Sequence, residues 1–364
     1  MLLLGLVHLT LFVCFDFLRF PPEKDELHFW PTALSFSHEW MPSLDALRNY
    51  RELSTPLPFL VFGGLEHWLH AGIMAGRLLN LLLSFGVVAA IGLASDDVRR
   101  SSFAALGLLV FPYYLGVSAY LYTDVITAVF VLLGLICHRD RKPVASTISW
   151  SLAIASRQFA VAFPLAIAAY ELCRRDTKPS TAMSRWIAPA AGAATLGAWI
   201  WLFGGAGPRA ALAQQEIGQN RLLYLHPSHI VYLLACVGLF YVIPEFLLFR
   251  DTRRLRHRGW PLALIAVTTV LSSVYFPAVG NAWGPTTMGL FDRLMSGVLN
   301  PVTRVLLYGG LATLATVRFC EYSLASFLVA ANAAILLVSP SVWEKYALLL
   351  LVSLWYLRAR GSPA

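Results

Sequence analysis

The sequence predicts an all-α, polytopic membrane protein with about twelve transmembrane helices, and three observations lead to this fold class. The mean hydropathy over 364 residues is +0.64. Only 13% of the residues are charged, about half of the roughly 25% found in soluble domains. Apolar runs close to the length that crosses a bilayer recur along the chain. Because a backbone in lipid has to satisfy its own hydrogen bonds, these runs are predicted to be helices.

The predicted spans are the apolar runs between short charged loops. They lie at 1–20, 76–94, 102–119, 124–138, 144–157, 158–173, 186–203, 228–249, 260–277, 301–317, 321–338 and 344–358. Residues 1–20 lack a basic start and a small-residue cleavage site, which favours a retained first helix over a signal peptide. The chain is therefore expected to form one integral membrane domain over residues 1–364, in which residues 21–75 are a first outer loop with short interfacial helices.

Within this outer loop, a shorter, semi-embedded helix is predicted at 57–70. Pro56 and Pro58 suit its first turn, since proline is compatible with the start of a helix. Gly63 and Gly64 are expected to allow close packing.

The distribution of basic residues predicts the orientation. If the amino terminus is cytoplasmic, the short cytoplasmic connections and the tail hold 17 of the 28 Lys and Arg residues, as the positive-inside rule requires. Both termini then lie inside, and the first outer loop faces the periplasm or an organelle lumen. The net charge of +8 comes from these loop clusters, so it indicates membrane lipids as partners and no nucleic acid.

No metal or cofactor is predicted. The five cysteines are scattered in or beside apolar runs without a CxxC pair, so they are interpreted as small buried hydrophobic residues. The histidines of the polar segments show neither an HxxxH nor an HExxH pattern.

Ionisable residues inside a membrane are functional candidates, and most of those in this chain fall at predicted outer helix ends. They are Asp16, Glu66, His67, His70, Arg77, Asp124, Arg157, Arg304 and Lys345, with the polar Asn80 three residues after Arg77. Any one of them is also explained by snorkelling to the headgroups or by structural pairing. The bias of the whole set toward one side predicts a polar cavity that opens to the outer leaflet.

A cavity lined by acids and bases suits the transfer of a sugar from a lipid phosphate. Arginine and lysine bind phosphate, and a carboxylate can take the proton from a sugar hydroxyl as a general base. Single displacement then needs one carboxylate and inverts the anomeric centre, by analogy with inverting glycosidases.

Several short segments occur in a recognisable order. They are Asp25-Glu26-Leu27-His28, Thr55-Pro56, Arg77-Leu78-Leu79-Asn80, Leu121-Tyr122-Thr123-Asp124-Val125 and Arg157-Gln158. This set, which covers residues 1–170, resembles the dolichyl-phosphate-glucose α-1,2-glucosyltransferase family, and more broadly the GT-C superfamily of polyprenyl-phosphate-sugar transferases. The chain departs from that family in being shorter, in lacking a second proline after Thr55-Pro56, and in its last outer turn, Ser-Pro-Ser-Val-Trp-Glu-Lys-Tyr.

The resemblance implies a GT-C-like fold, a polyprenyl-phosphate sugar donor, a glycan or lipid-linked acceptor, and no required metal. It implies a catalytic base in the first outer loop, matched here by Asp25 with Glu26 beside it. Candidate substrate-binding residues are His28, Thr55, Glu66, Arg77, Asp124, Arg157, Gln158, Arg304 and Lys345. The departures leave the sugar, the acceptor and the linkage open.

Two further functions stay open. One is a lipid-glycan polymerase or ligase of similar architecture, in which donor and acceptor are both lipid-linked. The other is a transporter or flippase, which predicts charged residues near the bilayer midplane and often internal repeats. No repeat is visible in the sequence, and the outer-edge positions of the charged residues favour the transferase.

Overall fold

The computed structural model describes residues 5–7, 10, 19–39, 41–174, 179–214, 225–250, 289–339 and 342–361. Within these ranges every regular element is a helix and there is no strand, which confirms the all-α prediction. The predicted span at 260–277 lies outside the described residues, as does most of the span at 1–20.

Helices follow one another with short connections. The first eleven are α1 (Glu26–Ser37), α2 (Leu44–Asn49), α3 (Leu57–Leu69), α4 (Ile73–Gly92), α5 (Val98–Leu109), α6 (Pro112–Ser118), α7 (Thr123–Arg139), α8 (Pro143–Ser156), α9 (Ala162–Cys173), α10 (Pro179–Phe203) and α11 (Arg209–Gln214). The later ones are α12 (Pro227–Val237), α13 (Ile243–Phe249), α14 (Leu290–Val298), α15 (Pro301–Arg318), α16 (Leu324–Leu337) and α17 (Leu348–Ala359). Each predicted span in the described residues after position 75 coincides with one helix or with consecutive helices.

Three helices in the described residues are long and apolar enough to cross a membrane: Ile73–Gly92, Arg185–Phe203 and Pro227–Phe249. A fourth candidate is the pair α5 and α6, which is bent by 78°. These helices are consistent with a membrane protein. Other predicted spans are shorter as helices: α8 has 14 residues and rises only about 21 Å, against a hydrocarbon core of about 30 Å.

The contacts divide the chain into two compact units. The first comprises residues 1–90 and 114–219, and the second comprises residues 91–113 and 220–364. The single membrane domain over 1–364 stays a prediction.

In the first unit, α8 packs against both α7 and α10. The fully buried Trp150 of α8 lies directly against Gly134 of α7 and Gly192 of α10. A Cβ atom at either glycine would come within 2.7 Å of the Trp150 side chain, so the absence of a side chain there is what admits the indole.

Three short helices, α1 to α3, lie in the predicted outer loop, and α3 begins directly after Pro56 as expected. Helix α3 crosses α1 closely, since a Cβ on Gly63 would meet the Ala33 carbonyl oxygen at 2.6 Å. Gly64 has nothing within 4 Å of its Cβ position. Close packing therefore applies at Gly63 and not at Gly64.

In the second unit, α12 packs against α15 and α16, while α17 packs against α5. A π-helical turn, Gly238–Val242, joins α12 to α13. In α13, Glu245 is buried and forms ion pairs with two arginines. Arg318 Nε lies 2.7 Å and Arg358 Nε lies 3.1 Å from its carboxylate. Glu245 therefore has a structural ion-pairing role.

Candidate active site

A buried ion pair joins α1 to α4. Glu26 and Arg77 are both fully buried, and Arg77 Nε donates to Glu26 Oε1 at 2.8 Å while Nη2 contacts Oε2. Arg77 Nη1 also donates to the Phe20 carbonyl at 2.6 Å. Glu26 Oε1 accepts the Leu121 backbone amide at 2.6 Å. This pair therefore fixes three separate segments of the chain against one another.

The turn that precedes α7 is held by the same face of α4. Asn80 lies three residues after Arg77 and so on the same helix face, and it donates through Nδ2 to the carbonyls of Tyr120 and Tyr122, each at 2.8 Å. The Arg77 guanidinium lies 5.6 Å from the Tyr120 ring centroid. Helices α1 and α4 therefore determine the entry into α7.

Asp25 lies half-buried at the start of α1 and its side chain does not cap that helix. Its backbone amide is hydrogen-bonded to Tyr122, whose ring packs edge-on against Phe29. Burial raises the pKa of the Tyr122 hydroxyl, and the nearby carboxylates of Asp25 and Asp124 raise that pKa further. Tyr122 therefore stays un-ionised near the Asp25 and Asp124 carboxylates.

Asp124, at the start of α7, forms a second buried pair. Arg157 Nη2 lies 3.1 Å from Asp124 Oδ2, and Arg157 Nε donates to Thr123 Oγ1 at 2.7 Å. Asp124 is fully buried, yet neither carboxylate oxygen accepts a hydrogen bond from the described residues. The pair balances charge, and both Asp124 carboxylate oxygens are left without a hydrogen-bond donor among the described residues.

Two further predicted residues, Thr55 and Gln158, hydrogen-bond to the backbone near the Asp124–Arg157 pair. Thr55 Oγ1 donates to the Ile154 carbonyl at 2.6 Å. Gln158 Nε2 donates to the Leu53 carbonyl at 2.5 Å. Both side chains therefore tie the segment before α3 to the end of α8.

Two other predicted residues lie outside the two buried ion pairs of the first unit. His28 is exposed on α1. Glu66, near the end of α3, accepts the Gly72 amide through Oε2 at 2.7 Å, and its carbonyl accepts the His70 amide at 2.9 Å. Glu66 therefore stabilises the turn from α3 to α4.

Arg304 and Lys345 belong to the second unit. Arg304 is half-buried in the first turn of α15, and its Nε has no hydrogen-bond partner among the described residues. Lys345 is buried, with Nζ 5.2 Å from the Trp343 ring centroid. Their predicted phosphate-binding roles stay predictions.

The second unit contains a buried acidic centre that was not predicted from the sequence. Glu344 is fully buried and caps α14, because its Oε1 accepts the amides of Phe291 at 2.7 Å and Asp292 at 3.3 Å. Asp292 is also buried and accepts the Tyr308 hydroxyl at 2.9 Å. Glu344 precedes the candidate residue Lys345 in the sequence. No local pattern indicates that its carboxylate caps a helix start 53 residues away.

No role was predicted for Tyr122 of the Leu121–Val125 segment, although a tyrosine two residues before a buried acid at a helix start is a usable signal. In the part of the chain that the structure describes, no group of three or more His, Cys, Asp or Glu residues is arranged to hold a metal ion.

No family model, curated protein or solved structure matches the chain.

Proposed function

We propose that this protein is an integral membrane glycosyltransferase. It moves a single sugar, glucose or another hexose, from a polyprenyl-phosphate donor to a glycan or lipid-linked acceptor. The observation that carries the proposal is the grouping of Asp25, Tyr122 and the Asp124–Arg157 pair within the first unit. A half-buried carboxylate, a neutral hydroxyl and a charged pair with unfilled acceptors supply the groups that the transfer needs.

In the proposed reaction, Asp25 is the general base. The acceptor hydroxyl oxygen attacks the anomeric carbon, its proton passes to the Asp25 carboxylate, and the bond from that carbon to the phosphate oxygen breaks. The polyprenyl phosphate leaves with the bonding electrons. Because attack and departure occur on opposite faces of the sugar, the anomeric configuration inverts.

The Asp124–Arg157 pair is assigned to substrate binding. The Asp124 oxygens accept hydrogen bonds from sugar hydroxyls, which fills the acceptors that the protein leaves open. Arg157, which pairs with Asp124 at 3.1 Å, adds positive charge beside the developing phosphate charge.

Glu26 and Arg77 take a positioning role in this proposal, in place of proton transfer and phosphate binding. Both Glu26 oxygens are engaged, and Arg77 donates to that carboxylate and to the backbone carbonyls of Phe20 and Pro21. Asp25 is adjacent to this pair in sequence, so the pair fixes the backbone from which the base projects.

The membrane arrangement is proposed as twelve spans with both termini in the cytoplasm and the catalytic carboxylate on the periplasmic or lumenal side. The basic loops support it through the positive-inside rule. Single cysteines at Glu23 and Arg99 in a cysteine-free background test the sidedness. An impermeant thiol reagent should label position 23 from the non-cytoplasmic side and position 99 only after permeabilisation.

The decisive experiment incubates the purified protein with a panel of polyprenyl monophosphate sugars and acceptors and identifies the product by mass spectrometry. Asp25→Asn should remove transfer by a factor of about 10² to 10⁴, the usual contribution of a general base, while expression and insertion stay normal. Activity within about tenfold of the parent would remove Asp25 from this role. Movement of the lipid without a covalent product would indicate a flippase, and use of an oligosaccharide donor would indicate a polymerase or ligase.

A further inference from the structure

An apolar groove runs along one face of α3, next to the end of α1. Its volume is about 640 Å³, within the roughly 300–1,000 Å³ of small-molecule sites. Phe36 and Met41 lie on its other side. The residues that α3 contributes follow the spacing of one helix face, and they are Leu60, Val61, Gly64, Leu65, Trp68 and Leu69.

Two neighbouring glycines serve different sides of α3. A Cβ on Gly63 would meet the Ala33 carbonyl oxygen of α1, whereas a Cβ on Gly64 would have nothing within 4 Å. Gly63 therefore admits α1, and Gly64 leaves a slot in the middle of the groove. The packing of α1 on α3 does not fill this slot, so a ligand can enter it.

The walls of the groove are held in place at the end of α3. His67 Nδ1 donates to the Ser37 carbonyl at 2.8 Å, which ties the end of α3 to the end of α1. The His67 ring also packs edge-on against Trp68, with 5.3 Å between centroids. The groove is therefore formed before any ligand binds.

The open end of the groove lies close to a helix that can cross a membrane. Met41, Trp68 and Leu69 are 78%, 65% and 60% exposed, which is costly in water for adjacent large apolar side chains. Helix α4 is long and apolar enough to span a bilayer and begins at Ile73, and four residues of chain reach at most about 14 Å. Trp68 and Leu69 therefore lie near the membrane boundary, where tryptophan is enriched and lipid chains are the abundant apolar ligand.

The charge beside the groove favours a zwitterionic lipid. Glu39 is the one Asp, Glu, Lys or Arg among the described residues that line the groove. A lipid phosphate placed there without a compensating cation would be repelled by that carboxylate. The ammonium group of phosphatidylcholine or phosphatidylethanolamine would instead be attracted by Glu39 and by the exposed Trp68 ring.

We propose that the groove between α3 and the end of α1 binds one acyl chain of a zwitterionic phospholipid, whose ammonium group lies beside Glu39 and Trp68. The slot at Gly64 takes part of the chain. This proposal rests on the location of the protein in a membrane and not on the proposed sugar transfer, because no residue of the groove has a role in that reaction.

Photolabelling of the full-length protein in detergent tests the proposal. A phosphatidylcholine with a diazirine on one acyl chain is titrated, and the labelled peptides are identified by mass spectrometry. The label should saturate on α3 and Met41, and unlabelled phosphatidylcholine should displace it. Label spread over the exposed faces of the spanning helices, with no saturable part on α3, would overturn the proposal. Stronger displacement by a polyprenyl monophosphate would also overturn it, because the groove would then belong to the sugar donor.

Gly64→Leu fills the slot without disturbing the α1 crossing. Saturable labelling of α3 should fall about tenfold, the effect expected of overpacking an occupied site. The melting temperature should not fall, because leucine favours a helix over glycine. Gly86→Leu is the matched control, since Gly86 of α4 also has nothing within 4 Å of its Cβ position, and it should keep the labelling of α3. Unchanged labelling in Gly64→Leu would contradict the site.

Glu39→Gln tests the headgroup, because it keeps the size of the exposed side chain and removes its charge. The parent protein should prefer phosphatidylcholine to phosphatidylglycerol in competition with the labelled lipid. Glu39→Gln should reduce that preference by about two- to fivefold, the usual range for an exposed ion pair. Equal displacement by the two lipids from the parent would overturn the headgroup assignment. A lipid-free dimer that Gly64→Leu converts to a monomer would overturn the proposal, because a second copy of the chain would then cover the groove.

Discussion

Glu26 and Arg77 are 51 residues apart in the chain and form a fully buried ion pair. The same carboxylate accepts the Leu121 amide, so the pair joins α1, α4 and the turn before α7. Removing one partner of a buried pair leaves the other charge without compensation, which costs about 3–5 kcal/mol. Removing both is less damaging, because no isolated charge remains.

We therefore expect Glu26→Gln and Arg77→Gln each to lower the stability by about 3–5 kcal/mol. The double variant should lose clearly less than the sum of the two losses. Thermal unfolding in detergent across the double-mutant cycle measures the coupling. Arg100→Gln is the matched control, because the Arg100–Asp97 pair is exposed, with 41% and 48% of the side chains accessible, and such pairs contribute at most about 1 kcal/mol. If the two single losses simply added in the double variant, the two side chains would not be coupled, and the ion pair would not be what joins α1 to α4.

The crossing of α3 with α1 gives a second prediction. Gly63→Ala should destabilise the protein by about 1–3 kcal/mol through overpacking, because the new Cβ would meet the Ala33 carbonyl oxygen at 2.6 Å. Gly64→Ala is the internal control: its Cβ position is open, and alanine favours a helix by up to about 1 kcal/mol over glycine. We expect the two variants to shift the melting temperature in opposite directions. Equal shifts would show that the α1–α3 crossing has room for a side chain at Gly63.

The helices were predictable because apolar runs and proline positions are written in the local sequence. Pro56 gives the start of α3 correctly. The span predicted at 102–119 consists of two helices bent by 78°, a bend that the prediction did not include. The cause is Pro112, which disfavours helical geometry at the preceding Phe111 and cannot donate its nitrogen to a continuing helix.

The site was predictable in its residue types and less so in its pairings. Asp25 and Glu26 are sequence neighbours, so they cannot share a helix face, and only Glu26 turns inward to Arg77. Which of the two carboxylates turns inward depends on the position of α4, because its Arg77 is 51 residues from Glu26 in the sequence. For the same reason, no local pattern separates Asp25, beside Tyr122, from Glu26 as the candidate base.

Tyr122 should assist the proposed transfer through its hydroxyl alone. Tyr122→Phe retains the ring that packs on Phe29 at 6.0 Å between centroids and removes the oxygen bonded to the Asp25 amide. We expect kcat to fall about tenfold, roughly 1.4 kcal/mol of barrier, with little change in melting temperature. Steady-state kinetics measure this, with Tyr120→Phe as the control. A large loss of stability with unchanged kcat would reassign Tyr122 to packing.

Arg157 gives the last prediction, because it makes two directional contacts that lysine cannot make together. Its Nε donates to Thr123 Oγ1 at 2.7 Å while Nη2 lies 3.1 Å from Asp124. A lysine has one point charge on a flexible stem, so Arg157→Lys should keep the charge balance and lose the geometry. We expect a fall of about 10- to 100-fold in kcat/KM, since a hydrogen bond to a charged group contributes about 1.5–3 kcal/mol, with a smaller change in melting temperature than for Arg157→Gln. Asp124→Asn tests the other partner, because it keeps the shape of the side chain but leaves Arg157 uncompensated. If Arg157→Lys retained full kcat/KM while Arg157→Gln unfolded the protein, the pair would be structural and its oxygens would not bind the sugar.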